Sequence, residues 1–389
     1  MRHPFAIWRF RIVKWTGFPL TRLLLGGLFL SACAPGCQSV NSASMSARRT
    51  DIETRHQVDL DMSRSTPLLG DTSTTLKRIE KALEPFPKGY TAKMARINVV
   101  EDHFERWGLL APMIGAYTEA GRPEQYGQIF IKNKSALEDV LGLFSGDTGL
   151  HLEHEGWHSV EYFEVQEIES FVRTRARNNP GNIFQVLSTT DVILANASPE
   201  ELVELKRSGR STPYVDLVRG WLFCSFGDVN DDGVIDDADV AYVDAHRDAF
   251  DADGDGRVTY ADVAVRTGRE YLWAYDPMDF RLQVGLTASL VANLHDAGFV
   301  SFHAQNFPWE DRAETVSFLA DRGLVPHLYR RTTDARAARA WKEFNRIRRR
   351  DPLLARKLQL MIRYIASHEE CQLMEANWQS HMQVVRSKG

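Results

Sequence analysis

The chain has 389 residues, a formal net charge of −5 at neutral pH, and aromatic side chains at 10% of its positions. That length suits one large domain or two small ones, and the aromatic content is high enough to build a firm core. The slightly acidic balance provides no basic face for nucleic acid, so we expect no nucleic-acid partner.

The first 32 residues carry five basic residues and no acidic residue. They include an apolar run of eight residues, 23–30, after which small residues lead to Cys33. Eight apolar residues are too few to cross a ~30 Å hydrocarbon core, which needs ~20. The pattern therefore predicts a secretory signal peptide over residues 1–32 and not a membrane span.

The sequence Leu-Ser-Ala-Cys at residues 30–33 resembles the bacterial lipoprotein box. The resemblance implies acylation of Cys33 and a lipid-anchored protein of the bacterial cell envelope that faces the periplasm or the exterior. The alternative is an ordinary secreted protein that is cleaved nearby. Removal of residues 1–32 takes five positive charges from the net of −5, which leaves a mature chain at −10. Residues 33–72 are rich in Ser, Thr and Asn, and we expect them to form a flexible tether.

Helical periodicity dominates the rest of the chain, and no β-rich alternation of useful length occurs. We therefore predict a mainly α fold, a helical domain with an inserted pair of calcium loops. Its parts are a helical region over 73–223, the loop pair over 224–266, and a second helical region over 267–389 that packs against the first. The individual helices are predicted at 91–107, 123–144, 149–176, 198–208, 212–223, 278–296, 310–323, 335–348 and 352–384.

Besides Cys33, the mature chain keeps three cysteines, Cys37, Cys224 and Cys371, whose spacing fits no zinc pattern. An oxidising compartment would allow a disulfide between Cys224 and Cys371 and would leave Cys37 beside the anchor.

Two acidic loops, 228–239 (loop 1) and 251–262 (loop 2), share one spacing of oxygen-bearing side chains. These side chains stand at positions 1, 3, 5 and 12, with glycine at position 6 and an apolar residue at position 8. Ca²⁺ takes about six to eight oxygen ligands from one tightly curled loop, so the spacing predicts two Ca²⁺ sites. Position 7 uses its backbone carbonyl group and position 9 is reached through a water. The predicted ligands are Asp228, Asn230, Asp232, Val234, Asp236 and Asp239 in loop 1 and Asp251, Asp253, Asp255, Arg257, Thr259 and Asp262 in loop 2.

Residues 228–262 hold twelve Asp and two Arg, a local net charge of −10. Bound cations would relieve the repulsion among these carboxylates, so calcium binding would also be local folding. The pair resembles EF-hands, and more closely the duplicated loops of dockerins, in having Asp at position 12 and a glycine before position 1. Dockerins usually sit at a chain end and bind a cohesin module, whereas this pair is internal, which argues against a cohesin partner. The alternative is an acidic, solvated loop pair without an ion.

A second informative stretch is histidine-rich, and on a helix it places His151, His154, His158 and Glu161 on one face. Residues 154–158 match HExxH, in which two imidazoles bind Zn²⁺ and the glutamate activates the bound water. This interpretation gives His154 and His158 as metal ligands for Zn²⁺ or iron and Glu155 as a candidate catalytic base. Glu161 and Glu169 are candidates for a third ligand.

Gly156-x-His158-x-x-Glu161 also resembles the GxHxxE signature of imelysin-like proteins, helical-bundle proteins of the bacterial envelope that are linked to peptidase activity or metal handling. The resemblance implies that His158 and Glu161 form the site pair. A third interpretation, half of a di-iron bundle site, would need a second ExxH segment packed against the first, and we set it aside. The remaining alternative is a structural helix whose histidines cap carbonyl groups or meet acids while Trp157 lies in the core.

Two functions follow from these patterns. The first is a calcium-binding, lipid-anchored extracytoplasmic protein with a structural or interaction role, whose partner would be an envelope glycan or protein. The second is a metal-dependent, peptidase-like hydrolase centred on the histidine-rich helix. A polar cluster near the C-terminus would favour metal binding if its helix packs on that helix; its members are His368, Glu369, Cys371 and Glu375.

Overall fold

The computed structural model describes residues 35–64, 72–100, 116–120, 122, 125–133, 148–176, 182–207, 212–268, 273, 298–301, 303–325 and 335–370. The chain forms two compact units, Met1–Ser46 and Ala47–Gly389. In the first unit the described residues are 35–46, which begin helix α1 (Pro35–His56). All contacts given below lie within the second unit.

The described part of the chain is mainly helical, as the sequence predicts, and also contains a small sheet. The strands are β1 (Leu60–Arg64), β2 (Ile97–Val100), β3 (Ala116–Thr118) and β4 (Ile129–Lys132). The helices after α1 are α2 (Thr72–Leu83), α3 (Lys88–Thr91), α4 (Thr148–Glu167), α5 (Glu169–Arg175), α6 (Ile183–Asn196), α7 (Pro199–Arg207), α8 (Thr212–Phe223), α9 (Asp237–Ala245), α10 (Arg247–Phe250), α11 (Tyr260–Thr267), α12 (Pro308–Asp321), α13 (Ala335–Arg350) and α14 (Pro352–Glu370). Short 3-10 turns lie at Cys224–Phe226 and His303–Gln305. Among these helices, none is long and apolar enough to span a lipid bilayer.

The sheet has the strand order β1-β2-β4-β3, in which β2 pairs in parallel with β1 and β4, and β3 pairs antiparallel with β4. Strands β2 and β4 correct the predicted helices at 91–107 and 123–144. All four residues of β2 and the first three of β4 are buried. A strand buried on both faces reads as a continuous apolar run, which over four residues cannot be told from a helix by periodicity.

The expected flexible tether over 33–72 is also corrected, because residues 47–64 belong to the second unit and are ordered by burial. Ile52, Val58 and Leu60 are fully buried in its core. The backbone N–H of Leu60 donates a hydrogen bond to the Glu53 carboxylate at 3.1 Å, which ties β1 to the end of α1. A few well-placed apolar residues anchor a segment whose average composition is polar.

Helix α4, which carries the predicted histidine motif, lies at the centre of the fold and packs against α2, α6, α12 and β3. Its Trp157 is fully buried and meets the ring of Tyr364 in α14 edge to face, with ring centroids 5.3 Å apart. A Cβ atom at Gly156 would lie 2.8 Å from Cε of Met94, so the glycine within this helix permits close packing. Because α12 and α14 contact α4 and α8, the C-terminal helices pack onto the N-terminal ones.

The acidic segment is attached to both helical regions. Val243 and Val263 are buried, and the Tyr260 hydroxyl group lies 2.5 Å from the Ser225 hydroxyl group. The backbone N–H of Tyr260 donates to Asn196 Oδ1 of α6 at 2.9 Å. On the other side, Asp237 in the first turn of α9 forms ion pairs with two arginines of α14.

Candidate metal sites

In both acidic loops the position 1 carboxylate draws the chain around itself. Asp228 accepts hydrogen bonds from the N–H groups of Asp232 at 3.1 Å and Gly233 at 2.6 Å. Asp251 accepts from the N–H groups of Gly254 at 2.7 Å and Gly256 at 2.8 Å. Each loop is therefore curled with its acceptor oxygens turned inward, which is the form that a hard cation requires.

Positions 3 and 5 repeat the same bonds in the two loops. Each side-chain oxygen accepts the backbone N–H two residues further on, at 3.0 Å for Asn230, 2.8 Å for Asp232, 3.1 Å for Asp253 and 2.8 Å for Asp255. In loop 2, one carboxylate oxygen from each of positions 1, 3 and 5 lies within 4.8 Å of the others. The two loops have different sequences and share most of their internal hydrogen bonds, although Asp228 accepts from position 5 where Asp251 accepts from position 4.

The position 12 carboxylate closes each loop. Asp239 accepts from the N–H groups of Val229 at 2.6 Å and Asp236 at 2.8 Å. Asp262 accepts from those of Ala252 at 3.1 Å and Thr259 at 2.8 Å. Positions 9 and 12 are also the N-cap and third residue of the exiting helix, in a reciprocal capping box in both cases. Each loop is thus built onto the start of a helix.

The backbone at position 6 has the left-handed conformation that glycine adopts without steric cost, with φ of +84° at Gly233 and +80° at Gly256. The position 7 side chains point to solvent, with Val234 53% exposed and the side chain of Arg257 59% exposed. Only the backbone of that position is available to an ion. Burial raises the pKa of Asp262, but hydrogen bonds from Thr259 and Ala252 outweigh it and hold the pKa below its usual value. The closing carboxylate therefore stays charged.

The second candidate site joins α4 to the start of α12. His154 and His158 lie one turn apart on α4, with their Nε2 atoms 3.2 Å apart. Oε2 of Glu310, in the first turn of α12, lies 3.2 Å from Nε2 of His154 and 3.4 Å from Nε2 of His158. Nε2 of His303, in the preceding 3-10 turn, lies 2.9 Å from the same oxygen. Three imidazole nitrogens thus converge on one carboxylate oxygen.

One more carboxylate lies behind this group. Oε1 of Glu314, one turn after Glu310, lies 3.0 Å from Nδ1 of His154. Burial raises the pKa of Glu310. The charge of His158 and the contacts of Glu310 with all three imidazoles lower this pKa by more, so it is well below its usual value. Burial lowers the pKa of His154, and its contacts with Glu310 and Glu314 raise it well above the usual value. The carboxylates at this site are therefore charged and draw positive charge towards them.

The other residues proposed from the sequence lie apart from this convergence. The carbonyl oxygen of Glu155 accepts a hydrogen bond from the Thr118 hydroxyl group at 2.9 Å, and the negative charge of Glu155 raises the pKa of His154. Among the contacts of the described residues, its carboxylate is not one of the converging groups. Glu169 is exposed on α5 and pairs with Arg173.

Glu161, predicted as a ligand or as the partner of His158, has a fully buried carboxylate engaged in another network. It accepts hydrogen bonds from Trp157 Nε1 at 2.9 Å, Tyr214 Oη at 3.2 Å and Arg312 Nε at 2.7 Å. Arg312 also bridges to Asp191 at 2.9 Å, and all three ionic side chains are fully buried. This network holds α4, α6 and α12 together.

The predicted C-terminal cluster meets α4 at a different place. His368 is buried and its Nε2 atom lies 3.6 Å from Oε1 of Glu164, which also accepts from the Tyr364 hydroxyl group at 2.6 Å. Cys224 is a buried free thiol that donates to the Trp221 carbonyl oxygen at 2.9 Å, and burial raises its pKa to about 12. The disulfide considered from the sequence is thus not seen at Cys224. Cys371, the expected partner of Cys224, lies outside the described residues. The same is true of Cys33, of the predicted helix at 278–296 and of Glu375.

The sequence reasoning missed His303, Glu310 and Glu314 as site residues. One available signal was the Glu310/Glu314 spacing of four within a predicted helix, which places two carboxylates on one face. No family model matches this chain, and neither a curated protein nor a solved structure matches it. Any assignment of function therefore rests on the geometry of the two kinds of site.

Proposed function

We propose that this protein is a calcium-binding, lipid-anchored protein of the bacterial cell envelope, in which two Ca²⁺ ions stabilise a helical domain with a structural or interaction role. The observation that carries the proposal is the shared geometry of loops 1 and 2. In each, side chains at positions 1, 3, 5 and 12 accept backbone N–H groups at matching places. EF-hand and dockerin loops, which the sequence resembles, use these positions as ligands.

Electrostatics favours this proposal over an acidic loop pair without an ion. One oxygen from each of positions 1, 3 and 5 of loop 2 lies within 4.8 Å of the others, and two unit charges at that distance repel each other by about 0.9 kcal/mol even in water. Three such charges in one loop destabilise the folded form unless a cation lies among them. The whole segment 228–262 carries a net charge of −10, so two Ca²⁺ ions would remove almost half of it.

A structural role fits the way in which the loops are attached. Asp237, at position 10 of loop 1, has a carboxylate that pairs with Arg356 and Arg363 of α14. Tyr260, at position 10 of loop 2, donates its backbone N–H to Asn196 of α6. An ion in either loop would fix the start of a helix that contacts the core, so calcium binding would stiffen both helical regions.

The lipid anchor at Cys33 and a glycan or protein partner in the envelope complete the proposal. The anchor is supported by the basic segment, the short apolar run and the lipoprotein box at 30–33. The partner class follows from that location.

Isothermal titration calorimetry of the chelator-washed mature protein with CaCl₂ tests the calcium sites. We expect about two ions per chain, with dissociation constants in the range of ~10⁻⁴–10⁻³ M that is typical of extracellular modules. Asp251→Asn should leave one site. Absence of calcium uptake at millimolar concentration would contradict the proposal.

A second candidate function is metal-dependent hydrolysis of a peptide bond. It is favoured by the 3.2 Å separation of the His154 and His158 Nε2 atoms, since HExxH chemistry requires two imidazoles that face one ion. A bound Zn²⁺ supplies a water of lowered pKa, and Glu155 would be the base. Hydrolysis of a quenched peptide library by the zinc-loaded protein, lost in Glu155→Gln with zinc retained, would support this function; equal rates in the two proteins would contradict it.

A further inference from the structure

We infer that His154, His158, His303 and Glu310 form a binding site for one divalent transition-metal ion, Zn²⁺ by preference, and that Glu314 orients His154 from behind. The ligand atoms are the Nε2 atoms of the three histidines and Oε2 of Glu310. They come from α4, from the 3-10 turn at His303–Gln305 and from the first turn of α12. The site is separate from the calcium loops and does not depend on the calcium proposal. The hydrolase function proposed above requires a metal ion at this site, whereas metal binding here does not require that the protein be a hydrolase.

Four of the six separations among these atoms match a metal coordination shell. In a tetrahedral site with metal–ligand bonds of about 2.1 Å, neighbouring ligand atoms are about 3.4 Å apart. The separations here are 3.2 Å between the two α4 nitrogens and 3.2, 3.4 and 2.9 Å from the three nitrogens to the glutamate oxygen. Ligand atoms of His154, His303 and Glu310 also lie within 4.8 Å of one another, and side-chain rotation would bring Nε2 of His158 to the same ion.

Hydrogen bonding among these groups does not explain their arrangement. One carboxylate oxygen has two lone pairs, and three imidazole nitrogens surround Oε2 of Glu310. That oxygen is buried, and among the described residues it makes no hydrogen bond of good geometry. A cation at the centre would satisfy all four atoms together.

Glu314 supplies the outer contact that metal-binding histidines commonly have. Its carboxylate lies 3.0 Å from Nδ1 of His154, and a rotation of the imidazole would let Nδ1 donate its proton to Glu314 and turn the Nε2 lone pair to the centre. Such a carboxylate fixes the tautomer and ring orientation and increases the basicity of the ligand nitrogen. The pair Glu310 and Glu314 thus contributes one inner and one outer carboxylate from one face of α12.

The donor set also selects the ion. Three imidazole nitrogens and one carboxylate oxygen suit Zn²⁺ and Fe²⁺, whereas Ca²⁺ prefers oxygen ligands alone. The side chains of His158, Glu310 and His154 are only 3%, 11% and 14% exposed, while that of His303 is 47% exposed. An ion can therefore enter the folded protein from the His303 side, and a further ligand would approach from there.

The test is zinc loading of the mature protein after chelator treatment, in buffer with CaCl₂ so that the calcium loops are filled. After removal of free metal, elemental analysis should give about one zinc per wild-type chain. We expect His303→Ala and Glu310→Gln to lose it and Glu314→Ala to weaken zinc affinity by about 10–100-fold. The control is His246→Ala, because His246 is exposed on the surface beyond α9 and the imidazole is removed without touching the site.

Two further readouts keep the test decisive if a variant folds poorly. Circular dichroism and calcium titration of the same samples report whether the fold and the loops are intact. Co²⁺ in place of Zn²⁺ should give ligand-field bands of a nitrogen and oxygen site, without the near-ultraviolet absorption of a thiolate ligand. The inference is overturned if folded wild-type protein retains no zinc, or if folded His303→Ala retains as much as wild type. Unchanged calcium uptake in either case would leave the calcium proposal standing.

Discussion

Neutralising position 1 in both loops, by Asp228→Asn with Asp251→Asn, should remove the calcium-dependent part of the stability. With dissociation constants of ~10⁻⁴–10⁻³ M, 10 mM Ca²⁺ would stabilise the folded state by about 1.4–2.7 kcal/mol per site, or about 3–5 kcal/mol for two. The second unit runs from Ala47 to Gly389. At about 2.1 cal/mol/K per residue the unfolding entropy of this unit is about 0.7 kcal/mol/K. Addition of 10 mM Ca²⁺ should therefore raise the melting temperature of the wild type by about 4–8 °C.

Asparagine is preferred to alanine because of the hydrogen bonds at these positions. Each native carboxylate accepts two backbone N–H groups, and the amide oxygen of asparagine keeps one of the two. The loss of one exposed hydrogen bond, about 1 kcal/mol, is offset by the relief of carboxylate repulsion of similar size. In chelator the variant should therefore melt within about 2 °C of the wild type.

The assay is thermal unfolding followed by circular dichroism, in 10 mM CaCl₂ and in chelator, for wild type, the double variant and Asp248→Asn. Asp248 is exposed on α10 between the loops, so this control removes one carboxylate of the same acidic segment without removing a predicted ligand. We expect the calcium-induced shift in wild type and control and a shift below about 1 °C in the double variant. An equal shift in all three proteins would refute the assignment of position 1 as a ligand.

Three other predictions concern the fold and the anchor. Arg312→Met leaves the buried carboxylates of Glu161 and Asp191 without their cation and should lower the free energy of unfolding in urea by about 3–5 kcal/mol. Contacts with two arginines of α14 hold the pKa of Asp237 at about 2, below its usual 3.8, so this carboxylate stabilises the fold above pH ~4 and the effect is lost as the pH falls through ~2. Because the Asp237 side chain is 63% exposed, Asp237→Asn should cost less than about 1 kcal/mol at pH 7, and the difference should vanish near pH 2 in urea unfolding. Cys33→Ser should abolish incorporation of labelled palmitate in a bacterial host.

Matched control variants separate the specific effects of Arg312→Met and Cys33→Ser from those of any substitution of the same type. Arg173→Ala removes an arginine from an exposed pair with Glu169 and should change stability by less than about 0.5 kcal/mol. Cys37→Ser should keep the label, since acylation is predicted four residues earlier. Label that remains in Cys33→Ser, or an Arg312→Met variant as stable as Arg173→Ala, would show that the respective reasoning is wrong.

Local patterns in the sequence predicted half of the described helices, namely α4, α5, α7, α8, α12, α13 and α14. Residues 149–176, 198–208 and 212–223 are helical nearly as predicted, because their apolar faces extend over several turns. The ligand spacing in the loops acts within twelve residues, so the backbone bonds that it implies form locally. Strands β2 and β4 were not predicted because each is four residues long and buried on both faces.

Of the four proposed ligands at α4, the sequence predicted two, His154 and His158. His154 and His158 are close because they are one helical turn apart, which the sequence states directly. His303 and Glu310 lie about 150 residues further along the chain and reach the same point only through tertiary packing of α12 on α4. The spacing on α4 favours Glu161 as a ligand, but its carboxylate is paired with Arg312, which comes from the same distant helix α12. Spacing therefore identifies the helix face, whereas charge partners decide which of its residues face an ion.

The start of α12 shows why the α4 site can be held rigidly. Three consecutive residues there bind three different partners: Glu310 meets the histidines, Asp311 pairs with Lys357 of α14 at 2.6 Å, and Arg312 pairs with Glu161 of α4. Asp311 and Arg312 are fully buried, so the backbone beside Glu310 cannot shift without breaking a buried ion pair. A ligand whose neighbours are fixed in this way keeps its geometry whether or not an ion is bound, which lowers the cost of ordering the site when the ion arrives. The buried charges around α12 are thus better explained as support for a metal ligand than as a source of net stability.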